Sequence, residues 1–282
     1  MSSIQVDVLR FREFEQDDVI DSSSIKDESL QHFRVAHPLI SVIIPVLEEE
    51  KLLPFTLQLF TKERKNLYNV EIIVSDGGSK DRTVSIAKEF ADIVVVHNEN
   101  RKQRISEGRN IGAEKATGDI LVFLNGDTTI ANPDLFFEEI VLWSKGEGSL
   151  RPCDALAFPV EISPSESRLS DKLFHTFFNG YLHFLNKIGL GMGRGECQVV
   201  KAKTFKKIGG YNPKVAAGED FDLMHRISKI GTVGFAKNII VYESPRRFRK
   251  FGYSRIIFTW FTNWLSVLVF GKSTSEEWEA VR

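Results

Sequence analysis

Cysteine is nearly absent from this chain: Cys153 and Cys197 are the only two in 282 residues, and they do not form a CxxC pair. A disulfide framework is not indicated, and a reducing compartment with free thiols is expected. Net charge is −1, so no global field would recruit nucleic acid. No run reaches the roughly 18 apolar residues of a membrane span. The N-terminus lacks the basic-then-apolar order of a secretory signal. A soluble, cytoplasmic protein is therefore expected. No GxxxxGK[ST] loop occurs, and the glycine-rich "GLGMGRGE" (Gly189 to Glu196) misses G-x-G-x-x-G spacing. The six histidines do not gather into a zinc site. His175 and His183, eight apart, read as packing residues on one helical face.

What is present is a rhythm. After an acid- and serine-rich extension over residues 1–37, "LISVIIPV" is a β-branched run ending near Pro45. "EEEKLLPFTLQLFTKER" then has helical spacing. "VEIIVSD", "DIVVVHN" and "DILVFLNGD" are further strands, and "KDRTVSIAKEFA", "SEGRNIGAEKATG" and "NPDLFFEEIVLWSK" are helices. Asn132 and Pro133 mark the start of the last of these. Strands of five to seven residues alternating with longer helices imply parallel βαβ units in an α/β fold. The nearly continuous apolar runs suit strands covered on both faces. After Gly148 the alternation loosens. "DALAFPVEI" reads as one strand, "SRLSDKLFHTFFNGYLHFLNKIG" as a long aromatic helix and "GEDFDLMHRISKIG" as an amphipathic helix with an acidic start.

In an open parallel sheet, ligands sit outside the carboxyl ends of the strands. Three such ends are polar here: "LEEE" after Pro45, "SDGGS" from Ser75, and "NGD" from Asn125 to Asp127. A single acidic strand end is an ordinary cap or turn. Three at one rim point to a site.

"SVIIPVLEEEKLL", "EIIVSDGGSKDRTVSIA", "GRNIGAEKATGDILVFLNGDTTI" and "GEDFDLMHRI" together resemble the successive signatures of glycosyltransferase family 2. The resemblance runs from about Leu39 to Tyr242. It implies the GT-A fold, a Rossmann-like, mainly parallel sheet flanked by helices, and an inverting transferase using a UDP- or GDP-sugar. By this resemblance Pro45, Leu47 and Glu49 lie against the nucleotide base. Leu47 and Glu48 stand where Tyr or another residue and Asn are common, so backbone contacts are expected there. Asp76 is assigned to the base or ribose, since a carboxylate can accept two hydrogen bonds; capping of the turn is the alternative. Asn125, Gly126 and Asp127 fill the Asp-x-Asp slot, with Asn125 replacing the first acid. A donor diphosphate calls for a hard cation, Mg²⁺ or Mn²⁺, with one or two carboxylate ligands. Asp127 is the expected ligand, and Gly126 lets the backbone come close. Arg104 and Arg109 are expected to hold the donor, and Arg194 to face a phosphate. Asp220 matches the general base, with Glu219 orienting it or sharing the role. Acids favoured by the helix dipole are the alternative there.

The expected function is metal-assisted transfer of a sugar to a hydroxyl of a carbohydrate or lipid-linked acceptor. A sugar-1-phosphate nucleotidyltransferase would need a glycine-rich phosphate loop after the first strand, where "PVLEEE" offers acids. A non-catalytic nucleotide- or carbohydrate-binding homologue is suggested only by Asn125. Beyond the 38–245 domain, the 246–282 segment begins with Arg246, Arg247, Arg249, Lys250 and Arg255, without an acid among them. Ile256 to Phe270 is then largely apolar, too short to span about 30 Å of hydrocarbon. It suits a helix lying at the inner face of a membrane, with Arg246 and Arg247 also able to grip an acceptor or product phosphate. Packing on the protein's own core, or on a second subunit in a homodimer, is the alternative.

Overall fold

Strand β1 (Ile40–Val46) is buried along its whole length and pairs in parallel with β2 (Val70–Asp76) on one side and β4 (Ile120–Leu124) on the other. Its side chains alternate between two layers, as a strand must. Val42 and Ile44 join the cluster of Phe136, Phe137 and Trp143, whereas Ile43 joins that of Phe123, Tyr211 and Leu223. The computed structural model describes residues 39–150, 152–270, 272–274 and 281. The expected 1–37 extension and most of the segment after residue 274 lie outside the described residues.

The main sheet has seven strands in the order β3-β2-β1-β4-β8-β6-β9. Here β3 is Ile93–Val96, β6 Ala155–Ala157, β8 Cys197–Lys201 and β9 Val233–Phe235. The strands from β3 to β4 run parallel, β8 opposes both of its neighbours, and β6 and β9 are parallel. Helices cover both faces. On one face, α5 (Pro133–Lys145) starts where the Asn132 side chain accepts from the Leu135 N–H and stops at Gly146 in the left-handed region. It buries Phe136, Phe137 and Ile140 completely. Truncating Phe137 to alanine would cost about 3–5 kcal/mol. On the other face, α4 (Ile105–Lys115) packs so closely that a Cβ on Gly112 would lie 2.5 Å from Ile43 Cγ2.

Two elements differ from the sequence expectation. The helical stretch after β1 divides into α1 (Leu53–Leu57) and α2 (Lys62–Tyr68), because Pro54 opens the first and Thr61 caps a new start by accepting from the Arg64 N–H. The expected single strand of "DALAFPVEI" also divides. Pro159, with no N–H to donate, separates β6 from β7 (Val160–Ile162), which enters a second, three-stranded sheet. That sheet has the order β5-β10-β7, with β5 Thr129–Ile130 and β10 Val241–Glu243. It brings Glu243 near the turn that follows β4.

The remaining helices are α3 (Thr83–Phe90), α6 (Leu169–Lys187), α7 (Ala202–Lys207), α8 (Glu219–Ser228), α9 (Arg246–Phe251) and α10 (Tyr253–Phe270). Asn179 of α6 both accepts from Val160 N and donates to Val160 O, so its amide continues the edge of β7. The C-terminal helices are tied to α6 by Asp171, a fully buried acid that accepts from both terminal nitrogens of Arg249 and from the Tyr253 hydroxyl. Phe174, Phe248, Tyr253 and Trp260 stack around that anchor. Among the described residues, no helix is long and apolar enough to cross a membrane.

Candidate active site

The carboxyl ends of β1, β2 and β4 open into a cavity of about 450 Å³. The cavity gathers Pro45, Leu47 and Glu49 from the first strand end and Asn125, Gly126 and Asp127 from the fourth. Arg104, Arg109, Arg194, Glu219, Asp220, Arg246 and Arg247 line it as well. Residues almost two hundred positions apart thus meet at one rim.

The first strand end is braced by the loop after β2. Glu48 N donates to Ser79 Oγ at 2.7 Å and Glu49 N to Thr83 Oγ1 at 2.8 Å. Glu48 itself has φ 54, a left-handed conformation that asparagine tolerates better than glutamate does. That accounts physically for asparagine being the common residue at this position of the motif.

Asp76 departs from its expected role. One carboxylate oxygen accepts from Gly78 N at 2.9 Å and Ser79 N at 2.8 Å, and the other accepts from the Ser79 hydroxyl. The residue is fully buried behind the cavity wall, and its neighbours Ser75 and Gly77 line the cavity instead. This is the turn-capping alternative: the donors of a tight turn engage both carboxylate oxygens.

At the fourth strand end, a Cβ on Gly126 would lie 2.7 Å from Val46 Cγ1, so only glycine lets this turn close over β1. The Thr56 hydroxyl holds the turn from beneath, within 3.0 Å of the carbonyls of Gly126 and Thr128. Asp127 is left facing the cavity, where its Oδ2 accepts from Arg246 Nη2 at 2.8 Å. The same nitrogen lies 3.1 Å from Glu49 Oε2. Burial works against the Arg246 charge, but Asp127 and Glu49 more than offset it and raise its pKa. Two carboxylates therefore converge on one cationic position. Among the described residues no three His, Cys, Asp or Glu side chains do so. A pair of oxygen donors of this kind fits a hard divalent cation that takes its other ligands from phosphate and water.

Arg109 organises the opposite wall. It is 1% exposed, donates to Glu219 Oε1 and Gly195 O at 2.8 Å each and to Asn125 Oδ1 at 2.9 Å, and lies over the Tyr211 ring. Asn125 thus turns its amide oxygen toward arginine. Glu219, the expected partner of the base, is held in a buried ion pair. Asp220 follows it at the start of α8, half-buried, with Oδ1 accepting from Phe221 N. Burial, reinforced by the negative charges of Glu219 and Glu196 and opposed by Arg109, pushes the Asp220 carboxyl up to about 7. A carboxyl raised to this range can take up a proton near neutral pH.

Arg194 differs from the expectation of a phosphate contact. Only 2% exposed, it donates to Glu196 at 2.9 Å and Glu243 at 2.6 Å and lies 5.2 Å from the Trp260 ring. Its charge is already met by protein. Burial lifts Glu243 well above the usual carboxylate range, further than Arg194 can hold it down. Burial also works against the Glu196 charge, but the Arg194 charge and hydrogen bonds from the backbone, Glu243 and Arg194 together hold its carboxyl below that range. His175, lowered to about 3 by burial and by Arg194, is a neutral packing residue beside them. Sequence reasoning missed Glu196 and Glu243. Glu196 lies two residues beyond Arg194, but Glu243 arrives on a three-residue strand with no motif around it. Arg104, also assigned to the donor, reaches the backbone of Pro213.

An open α/β protein with a rim site is what this fold defines: parallel strands, acid-bearing turns at their carboxyl ends, and a cavity across them. Residues 41–146 match the model of glycosyl transferase family 2. The chain is similar to the glycosyltransferase AglE of Haloferax volcanii, with 37% identity over 93 residues, which are 32% of this chain and 31% of that one. It therefore spans less than a third of that relative. In structure it is similar to the mannosyltransferase PcManGT from Pyrobaculum calidifontis, solved with GDP-Man and Mn²⁺. The TM-score is 0.55 at 18% identity, covering 73% of this chain and 57% of that one. It is also similar to residues 1–349 of S. aureus TarS with UDP-GlcNAc, at TM-score 0.53 and 14% identity, covering 73% and 59%. The family match is thus confined to residues 41–146, and the fold that carries them is GT-A.

Proposed function

We propose that the protein transfers a sugar from a nucleoside diphosphate sugar to an acceptor hydroxyl, with inversion at the sugar carbon. The observation that carries this reading is the pairing, in one cavity, of a carboxylate poised near neutrality with a second carboxylate pair built around a cation. Solved neighbours that hold GDP-Man with Mn²⁺ and UDP-GlcNAc support a donor of this class. Mg²⁺ or Mn²⁺, held by Asp127 with Glu49 beside it, would neutralise the charge that develops on the departing diphosphate.

The chain's own residues account for the rest. Leu47, Ser75 and Gly77 wall the end of the cavity assigned to the base. Arg246 and Arg247 supply positive charge for phosphate oxygens. Arg109 fixes Asn125 and Glu219, and so sets the floor on which the sugar lies. Asp220 accepts the proton of the attacking hydroxyl, on the face opposite the leaving group as in-line displacement requires. The acceptor is a carbohydrate or lipid-linked alcohol. A nucleotidyltransferase is disfavoured by the left-handed Glu48 turn, which puts acids where a phosphate loop would stand. Incubation with a panel of UDP- and GDP-sugars and Mn²⁺ should release nucleoside diphosphate slowly from one of them. Tight nucleotide binding with every donor left intact would instead indicate a non-catalytic homologue, and release of pyrophosphate a nucleotidyltransferase.

A further inference from the structure

We propose that α6 and α10 together form a docking surface for an anionic lipid bilayer. The outward face of α6 carries Leu169, Leu173, Phe177, Tyr181 and Phe184, spaced by three or four residues and each at least 40% exposed. Phe177 is 74% exposed. The opposite face of the same helix buries His175, Leu182 and Leu185 against the protein. An amphipathic helix turns one apolar stripe to the core and a polar one to water. Here both faces are apolar, over about 28 Å of helix.

Helix α10 repeats the pattern. Ile256 and Asn263 are buried, whereas Phe258, Phe261 and Leu265 are between 45% and 69% exposed. The two helices meet where Trp260 packs on Phe178 at 5.4 Å and on Phe174 at 6.2 Å. Tyr181 of the α6 row contacts Phe178 at 6.2 Å, and Phe261 of the α10 row contacts Trp264 at 6.0 Å. Phe178 and Trp264 pack on the same cluster of Leu182 and Leu185, so the two exposed rows join at that seam. A contiguous apolar surface of this kind marks an interaction site.

Charge selects the occupant. The exposed ionic residues of α6 are Lys172 and Lys187, near its two ends, and its one acid, Asp171, is buried against Arg249. Helices α9 and α10 contain no acid. Lys250, Arg255 and Arg247 gather around the ring of Phe251 at 4.9, 5.0 and 6.0 Å. A two-fold contact between copies of this chain would bring like-charged rims toward each other. An anionic headgroup layer neutralises them and accepts the aromatic rows at its boundary. Trp260 also lines the donor cavity, so a docked bilayer would lie along the helix that walls the site. The inference rests on this surface and not on the sugar-transfer reading.

Co-sedimentation of the full chain with phosphatidylcholine vesicles, with and without phosphatidylglycerol, tests it. The protein should pellet with the mixed vesicles and be released by salt. The variant Phe177→Ser with Phe258→Ser, which alters exposed positions only, should bind at least about tenfold more weakly. Lys172→Glu with Arg255→Glu should lose the preference for phosphatidylglycerol. Failure to pellet with either vesicle, or equal binding by the serine variant, overturns the proposal. So does a dimer in light scattering that the serine variant dissolves while vesicle binding is absent. Donor hydrolysis without vesicles reads the cavity separately, so failure of one reading leaves the other intact.

Discussion

The guanidinium of Arg246 donates to the carboxylate of Asp127 across 2.8 Å, joining the first turn of α9 to the turn that follows β4. The acid expected to hold a metal is thus already paired with a cation belonging to the protein. A metal bound here, as proposed, would compete with the arginine for the same oxygens, so its binding would depend on Arg246.

Replacing Arg246 with methionine removes the cation that lies between Asp127 and Glu49. Mn²⁺ alone should then raise the melting temperature of Arg246→Met by about 2–4 °C, and that of the unaltered protein by less. Asp127→Ala should abolish metal-dependent nucleotide binding, and a chelator should stop turnover. Full activity in excess chelator, with Mn²⁺ leaving both melting curves unmoved, would sink the metal assignment.

Asp220 sets a pH profile. A base with a carboxyl pushed up to about 7 must lose its proton before it can accept another, so kcat/KM should rise with pH and level off above about 7. Asp220→Asn should lower kcat by about 10²–10⁴-fold with donor affinity nearly unchanged. Stability carries the opposite slope. Between about pH 4 and 7 the folded protein keeps a proton that the unfolded chain has released, so stability falls as pH rises through that window. The asparagine variant should show a shallower slope in urea titrations, the remainder coming from Glu243, whose carboxyl is also raised by burial. A pH-independent kcat/KM in the unaltered protein would reassign the base.

The anchor at Asp171 behaves in the reverse sense. Arg249, helped by Tyr253 and the Arg168 N–H, holds this carboxyl far below the usual range although burial opposes them. Its contribution is therefore complete above about pH 4 and lost as pH falls below the ordinary carboxylate value. Asp171→Asn should destabilise the protein by about 3 kcal/mol at neutral pH, the lower end for a buried pair because Arg249 is partly exposed. The difference should shrink as acid is added. Equal stability of the two proteins at pH 7 would show that α9 and α10 are held by their aromatic contacts alone.

Arg109 serves three acceptors with one planar group, which a lysine ammonium cannot reproduce. Arg109→Met would strand the buried Glu219 and cost about 3–5 kcal/mol. Arg109→Lys should retain more stability yet lose donor affinity, because Asn125 and Gly195 lose their shared partner. Calorimetry with the nucleoside diphosphate, alongside urea unfolding, separates the two effects. Unchanged affinity in the lysine variant would limit Arg109 to a structural role.

Much of the frame could be read from residue order. β1, β2 and β4 announced themselves because each is an unbroken apolar run that stops at a polar turn; Glu49 and Asp127 of those turns line the cavity, whereas Asp76 is buried behind its wall. What escaped was set by contacts distant in sequence or by elements too short to show a period. β9 and β10 have three residues each, so no alternation marks them. Glu243 becomes a site residue only because β10 pairs with both β5 and β7. "SDGGS" supports ligand contact and turn capping equally well as a string, and the geometry of Gly78 and Ser79 is what engages Asp76. Arg194 read as a phosphate contact because Glu243, which arrives on a distant strand, could not be seen beside it.

The pairing of Glu49 with Arg246 also has a temporal side, since 197 positions separate the two residues. At the usual ribosomal pace of about 5–20 residues per second, Glu49 waits roughly 10–40 s for Arg246 to be synthesised. Throughout that interval the parallel strands can assemble, but the acids at their ends repel each other with no arginine between them. The nascent chain would therefore be most dependent on free cations, or on a bound nucleotide, late in translation. Magnesium supply in a cell-free system should influence the yield of folded protein before it influences any reaction the finished molecule performs.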